Sequence, residues 1–263
     1  MNDTLTIAGR ELRSRLFLGT GKYAGPEETV AAIDASGAEL ITVTIRRLDL
    51  DNPSAKTELD YIDWQRHAVL PNTAGCRTAD EAIFTARLGR SVTNSNWVKL
   101  EVIPDTKYLM PDPIATLRAA ETLIAEGFVV LPYIHADPVL AKHLEEAGCA
   151  TVMPLGSAIG SGQGILTLDE IRIIIENARI PVVVDAGIGA PSDASLAMEI
   201  GADAVLVNTA VARASDPAGM AAAMRKGVEA GREAYLAGRI ERKAYASASS
   251  PTEGAPRLSG SVR

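Results

Sequence analysis

The 263-residue chain is 47% hydrophobic with a formal net charge of −7, enough apolar length for one large core in a single barrel-sized domain. That acidic balance lacks the basic footprint of a nucleic-acid binder or of a polybasic membrane anchor, and removes only long-range steering of anionic ligands. The opening MNDTLTIAGRELRSR has no apolar core, and no window approaches the roughly 20 apolar residues of a membrane span, so a cytoplasmic protein binding neither nucleic acid nor membrane is expected.

Along the chain, short β-rich runs alternate with helical patterns. LFLGTG (16–21) is followed by a helical segment from Pro26 and then by LITVTIRR (40–47). A long polar stretch, RRLDLDNPSAKTELDYIDWQRH, departs from the rhythm and reads as a lid or, over Asp49 to Arg66, a subunit contact. AVLPNTAG (68–75), WVKLEVI (97–103), FVVLPYI (128–134), ATVMPLG (150–156), PVVVDAGIG (181–189) and AVLVNTAVA (204–212) complete eight strands. Helices start at Thr78, Asp112, Asp137, Thr167 and Pro191, where N-cap and first-turn residue types stand, and several end at Gly. Alternation over this length predicts a parallel sheet covered by helices, and eight repeats predict closure into an α/β (β/α)8 TIM barrel of one domain. An open doubly wound sheet is the alternative, but no G-x-G-x-x-G follows the first strand. An Ala-rich helix after Asp216 closes the barrel, giving residues 1–240 as the barrel domain and 241–263 as a disordered Ser-, Pro- and Gly-rich tail.

In a strand, side chains alternate faces, so Trp97, Lys99, Glu101 and Ile103 share one face and Val98, Leu100 and Val102 the other. The all-aliphatic set faces the helices, which turns Lys99 and Glu101 into the barrel near its C-terminal mouth. A free lysine titrates near 10.4, so an amine nucleophile needs its pKa lowered toward about 7, and desolvation in the mouth is expected to lower it. The competing reading is a structural Lys99–Glu101 ion pair. Asp185, at a strand end, is a candidate proton shuttle or a partner for loop amides. Glycines cluster in LGSAIGSGQGI (155–165) and DAGIGAPSD (185–193), and with NTAVA (208–212) these loops suggest an anion cradle. Arg46 and Arg47 are candidates for an anion contact or a salt bridge, and His135 is the one histidine at a strand end. Lys22, Asn72 and Thr73 are also at strand ends, without an assigned role. Cys76 and Cys149 have no clustered Cys or His partners, so neither a zinc site nor a disulfide framework is expected, and no cofactor is assigned.

Taken in order, GTGKY, LPNTAGCRTADEA, WVKLEVIPD, PLGSAIGSGQGI, VDAGIGAPSDA and AVLVNTAVA closely resemble the thiazole synthase (ThiG) family of thiamine biosynthesis, from about residue 5 to residue 240. The resemblance implies that Lys99 forms a Schiff base with 1-deoxy-D-xylulose 5-phosphate. It also implies sulfur from the thiocarboxylated carrier ThiS, and dehydroglycine (2-iminoacetate) from a ThiH- or ThiO-type enzyme. By motif match, Glu101 and Asp185 serve as acid and base, and Gly160, Ala186, Gly187, Asn208 and Thr209 contact phosphate and sugar. Family members assemble as dimers or tetramers. Ala158 stands where proline is frequent, a departure that removes no amide donor. A Schiff-base aldolase on a phosphorylated sugar and a non-catalytic phosphometabolite-binding barrel are the competing functions.

Overall fold

The computed structural model describes residues 3–47 and 57–249. Part of the polar Asp49–Arg66 segment and the tail from residue 250 onward therefore lie outside the described residues. A feature absent from the sequence reading comes first: an antiparallel hairpin of β1 (Leu5–Ile7) and β2 (Arg10–Leu12). Its two turn residues, Ala8 and Gly9, have φ of 46° and 79°, the left-handed pair that matches strand twist in a tight hairpin. Leu5, Ile7 and Leu12 are buried with Phe17, Leu40, Leu70, Leu131, Met153, Val183 and Leu206 from the barrel lumen, so the hairpin plugs the barrel floor.

The barrel follows as β3 (Leu16–Gly19), α1 (Pro26–Ser36), β4 (Leu40–Thr44), β5 (Ala68–Asn72), α2 (Ala79–Thr93), β6 (Trp97–Leu100), α3 (Pro113–Ala125) and β7 (Val129–Ile134). Then come α4 (Pro138–Ala147), β8 (Met153–Pro154), α5 (Leu168–Asn177), β9 (Val183–Asp185), α6 (Pro191–Glu199), β10 (Ala204–Val207), α7 (Thr209–Ala212) and α8 (Pro217–Ala237). The parallel sheet runs β8-β7-β6-β5-β4-β3-β10-β9, and single bridges Val152–Val182 and Leu155–Asp185 join its two ends. The chain therefore forms a closed eight-stranded barrel, as the alternation predicts. Among the described residues no helix is long and apolar enough to cross a membrane.

Helix starts follow the sequence signals at Thr78, Asp112 and Asp137, whose side chains accept first-turn N–H groups. Thr167 differs: its hydroxyl donates to the Leu155 carbonyl at 2.6 Å, tying the loop after β8 to α5 instead of capping it. A second core lies between strands and helices, where Val98, Leu100 and Val102 pack. Every predicted strand is shorter in the fold, two of them with consequences for the mouth. AVLVNTAVA leaves the sheet after Val207 and turns into α7, and ATVMPLG contributes only two ladder residues. Both breaks free backbone for the loops at the barrel mouth.

Candidate active site

Alternation along β6 puts Lys99 inside the barrel, and the chain runs on past the ladder with Glu101 still facing inward. Across the lumen, β9 ends at Asp185. The Lys99 ammonium lies 2.6 Å from Asp185 Oδ2 and 3.2 Å from Glu101 Oε1. All three are buried, at 6%, 5% and 4% exposure for Lys99, Glu101 and Asp185. The Asp185 approach lies off the hydrogen-bonding direction, so that contact is an ion pair rather than an aligned hydrogen bond.

The expectation of a desolvated, largely neutral amine is corrected here. Burial does pull the Lys99 amine downward, but Asp185 and Glu101 outweigh it and hold the amine above its ordinary value. Burial pushes the Glu101 carboxyl up, against the pull of Lys99 and with the help of the Asp185 charge. The resting cluster is thus one cation between two carboxylates, and burial makes Glu101 readier to take a proton than an ordinary glutamate. The ion pair weighed as an alternative is present and enlarged to three groups.

Two residues that the sequence left without a role support this cluster. The Thr73 hydroxyl donates to the Glu101 carbonyl at 2.8 Å and accepts the Glu101 N–H at 2.7 Å. This reciprocal pair fixes the backbone of Glu101 where the ladder has ended and would otherwise leave its amide unpaired. Tyr133 packs with Ile103 and Leu155 at the same level of the lumen, its ring centroid 5.7 Å from the Lys99 nitrogen. Its buried hydroxyl has no hydrogen-bond partner, and burial, with Asp185 and Glu101, pushes the phenol well above its usual range.

Above the cluster opens a cavity of about 650 Å³ bordered by Lys99, Glu101, Asp185, Gly160, Ala186, Gly187, Asn208 and Thr209. Every predicted site residue therefore reaches one space. Its glycine side is built by close contact. A Cβ on Gly187 would come within 2.0 Å of Ser157 Oγ, and φ there is 78°, so only glycine lets the two loops meet. Ala186 shares the left-handed region at φ 65°, an uncommon state for a residue with a side chain. The Ser157 hydroxyl donates to the Gly164 carbonyl at 2.8 Å, folding the loop after β8 on itself, and the Gly164 N–H donates to the Gly187 carbonyl at 2.8 Å, pinning that loop against the loop after β9. Asn208 Oδ1 is buried without a partner, leaving an unmet acceptor on the cavity wall.

Other candidates fall elsewhere. Arg46 donates to the Gly75 carbonyl, bracing the loop after β5; the acidic loop weighed as its salt-bridge partner and the Arg47 side chain lie outside the described residues. Asn72 borders the cavity and accepts the Ala74 N–H at 3.2 Å. His135 is exposed and does not border the cavity, because Ile134 ends β7 one residue earlier. His67 takes a buried 2.8 Å contact with the Ala38 carbonyl. Cys76 and Cys149 are buried free thiols, the latter pushed up to about 12 by burial.

With this geometry in view, relatives are informative. The chain matches the family described as Thiazole biosynthesis protein ThiG over residues 6–251. It is 61% identical over 254 residues to the thiazole synthase of Syntrophobacter fumaroxidans, covering 97% of this chain and 99% of that one. It is 60% identical over 260 residues to the bifunctional protein ThiO/ThiG of a Nostoc species, covering 97% of this chain but 40% of the longer protein. Among solved structures, the BexX/CysO complex of Amycolatopsis orientalis superposes with a TM-score of 0.82 at 37% identity, over 92% of this chain and 98% of that one. The 3-hexulose-6-phosphate synthase of Salmonella typhimurium, at 18% identity and a TM-score of 0.55, shares the barrel fold alone. Family match and full-length identity together place the aldolase and binding-protein readings aside: the chain belongs to the ThiG family, the thiazole synthases of thiamine biosynthesis.

Proposed function

We propose that this enzyme builds the thiazole phosphate from 1-deoxy-D-xylulose 5-phosphate, dehydroglycine and sulfur carried by a ThiS-type thiocarboxylate, through an imine on Lys99. The observation that carries the reading is the buried amine of Lys99 held between Glu101 and Asp185 beneath a glycine-lined cavity. Substrate phosphate and sugar hydroxyls rest on Gly160, Ala186, Gly187, Asn208 and Thr209. This leaves the ketone facing the amine.

Lys99 first gives a proton to Glu101, whose raised affinity suits it as the acceptor. The neutral amine adds to the ketone carbon, the carbinolamine oxygen takes that proton and leaves as water, and the carbon–nitrogen double bond forms. The resulting iminium restores a positive charge between the same two carboxylates, so the cluster that disfavours the free amine favours the product of its attack. Asp185 takes the proton from the neighbouring hydroxyl-bearing carbon and returns it to the former imine carbon, while Glu101 accepts the hydroxyl proton; the carbonyl moves one carbon along and an aminoketone remains. The new ketone exchanges its oxygen for the carrier's sulfur, the carrier leaving as its carboxylate; the sulfur then adds to the imine carbon of dehydroglycine, whose nitrogen displaces Lys99 from carbon and closes the ring.

The ThiO fusion in the Nostoc relative supports supply of the imine by an oxidase. The BexX/CysO complex of the 37%-identical neighbour supports the docking of a partner protein on this fold. Borohydride reduction in the presence of the sugar phosphate, followed by peptide mass spectrometry, is expected to place the adduct on Lys99 and to find none in Lys99→Ala. An adduct on Lys22 or Lys107 instead refutes the assignment.

A further inference from the structure

The loop leaving β3 reads Gly19-Thr20-Gly21-Lys22. Its left-handed position is held by Lys22, at φ 75°, although glycine is the residue that adopts this conformation freely. A backbone state disfavoured for a long side chain is kept where something over-determines it. The consequence of that bend is visible at the mouth of the barrel. The Lys22 ammonium reaches over the cavity to within 3.5 Å of Thr209 Oγ1, and a Cβ placed on Gly160 would lie 3.6 Å from the same nitrogen. Strands β3 and β10 are hydrogen-bonded neighbours, so the loop carrying Lys22 and the turn at Asn208 and Thr209 rise side by side.

Charge within the cavity makes this placement specific. The Lys99 ammonium is already matched by two carboxylates and is unavailable to a second anion. Lys22, by contrast, is exposed, and its ammonium contacts a hydroxyl and, among the described residues, no carboxylate. Backbone amides alone hold a phosphoryl group as they would any anion, whereas a mobile ammonium adds a full charge that a neutral hydroxymethyl group does not use.

We infer that Lys22 is the specificity-determining cation of the site, folding over the ligand between Gly160 and Thr209 and selecting phosphorylated ketoses over neutral ones. The inference rests on the cradle reading above, and it adds a residue that reads charge rather than shape.

Inorganic phosphate serves as the probe, titrated calorimetrically into wild type, Lys22→Gly and Lys22→Arg at pH 8, where the dianion dominates. Lys22→Gly is expected to bind phosphate about 10- to 100-fold more weakly, as for loss of one charged hydrogen bond. Its melting temperature should be no lower than the wild type's, because glycine relieves the left-handed backbone. Lys22→Arg should retain most of the affinity. In turnover, Lys22→Gly should raise KM for the phosphorylated ketose with kcat preserved, and leave the yield of Lys99 adduct with the neutral 1-deoxy-D-xylulose unchanged. Equal phosphate affinity in wild type and Lys22→Gly overturns the inference, as does an equal loss for neutral and phosphorylated ketoses. Because phosphate binding is read without imine formation, a Lys22 effect stands even where no Lys99 adduct forms, and its absence counts even where one does.

Discussion

Replacing Lys99 by alanine leaves Glu101 and Asp185 facing one another in a buried lumen without the cation that lies 3.2 and 2.6 Å from them. Removing one partner of a buried ion pair costs about 3–5 kcal/mol, which for a chain of this size lowers Tm by about 6–20 °C at pH 8. A native stability of about 5–15 kcal/mol leaves the variant folded. The pH dependence follows from linkage. Without Lys99, burial and mutual repulsion raise the folded-state carboxyl pKa values above the unfolded value of about 4.3, so the folded state binds more protons than the unfolded state, and stability falls as pH rises. One extra proton is worth about 1.4 kcal/mol per pH unit, so the deficit at pH 5 should be smaller than at pH 7 by up to about 2.7 kcal/mol. In the wild type, Lys99 itself adds no slope there, because a raised amine pKa contributes stability that is fully present below about 10.4 and lost only above it. Circular-dichroism melts at pH 5, 6, 7 and 8 measure the effect. Adding Asp185→Asn to Lys99→Ala should recover part of the loss and flatten the slope. A Tm deficit independent of pH, or a double variant no more stable than the single one, refutes the charge-balanced cluster.

Four further outcomes are expected. Glu101→Gln and Asp185→Asn should each slow turnover by about 100-fold or more, the usual scale of a lost acid or base, with inorganic phosphate still bound in calorimetry; normal rates in both remove them from the proton path. Tyr133→Phe deletes a buried hydroxyl without a partner and should raise stability by about 1 kcal/mol in urea titrations, while a loss of stability would mean the hydroxyl is satisfied. Gly187→Ala places a methyl 2.0 Å from Ser157 Oγ and should abolish phosphate binding and lower Tm, since the loops after β8 and β9 must separate; retention of both would disprove the close packing. Asp3→Asn breaks its pairs with Arg232 and Arg15. Arg232, foremost, holds the Asp3 carboxyl below its usual value, so the contribution of about 1 kcal/mol after solvent screening is present above about pH 4 and lost below it. The variant and wild type should therefore converge in Tm only in acid.

Much of this architecture was legible because local pattern and tertiary role coincide. The split of Trp97 to Ile103 into a lumen face and a helix face needs only the two-residue period of a strand, and the helix starts at Asp112 and Asp137 need only their side-chain chemistry. The state of Lys99 was not legible. Desolvation and the Glu101 partner are local inferences from the run around the residue, whereas the second opposing carboxylate belongs to Asp185, on a strand brought across the lumen only by closure. Thr73 was visible only as a strand-end residue, and its role was hidden for a similar reason: its hydroxyl supports a neighbouring strand's backbone, a pairing fixed by register rather than by spacing. The hairpin at Leu5–Leu12 was legible in principle from the Ala8-Gly9 turn between apolar residues, but its strands are too short to stand out from an irregular leader.

The barrel's two sheet ends meet between β8 and β9 through isolated bridges at Val152–Val182 and Leu155–Asp185, where β8 contributes two ladder residues. Near the mouth the last rung across that seam is the Gly156 N–H donating to the Asp185 carbonyl at 3.1 Å. Opening of the cylinder is expected at this joint, beside the Asp185 carboxylate that faces Lys99. In hydrogen–deuterium exchange the Gly156 amide should lose protection sooner than Leu18, whose strand is stitched on both sides. Stiffness of one thin hem thus governs how steadily the lysine is gripped.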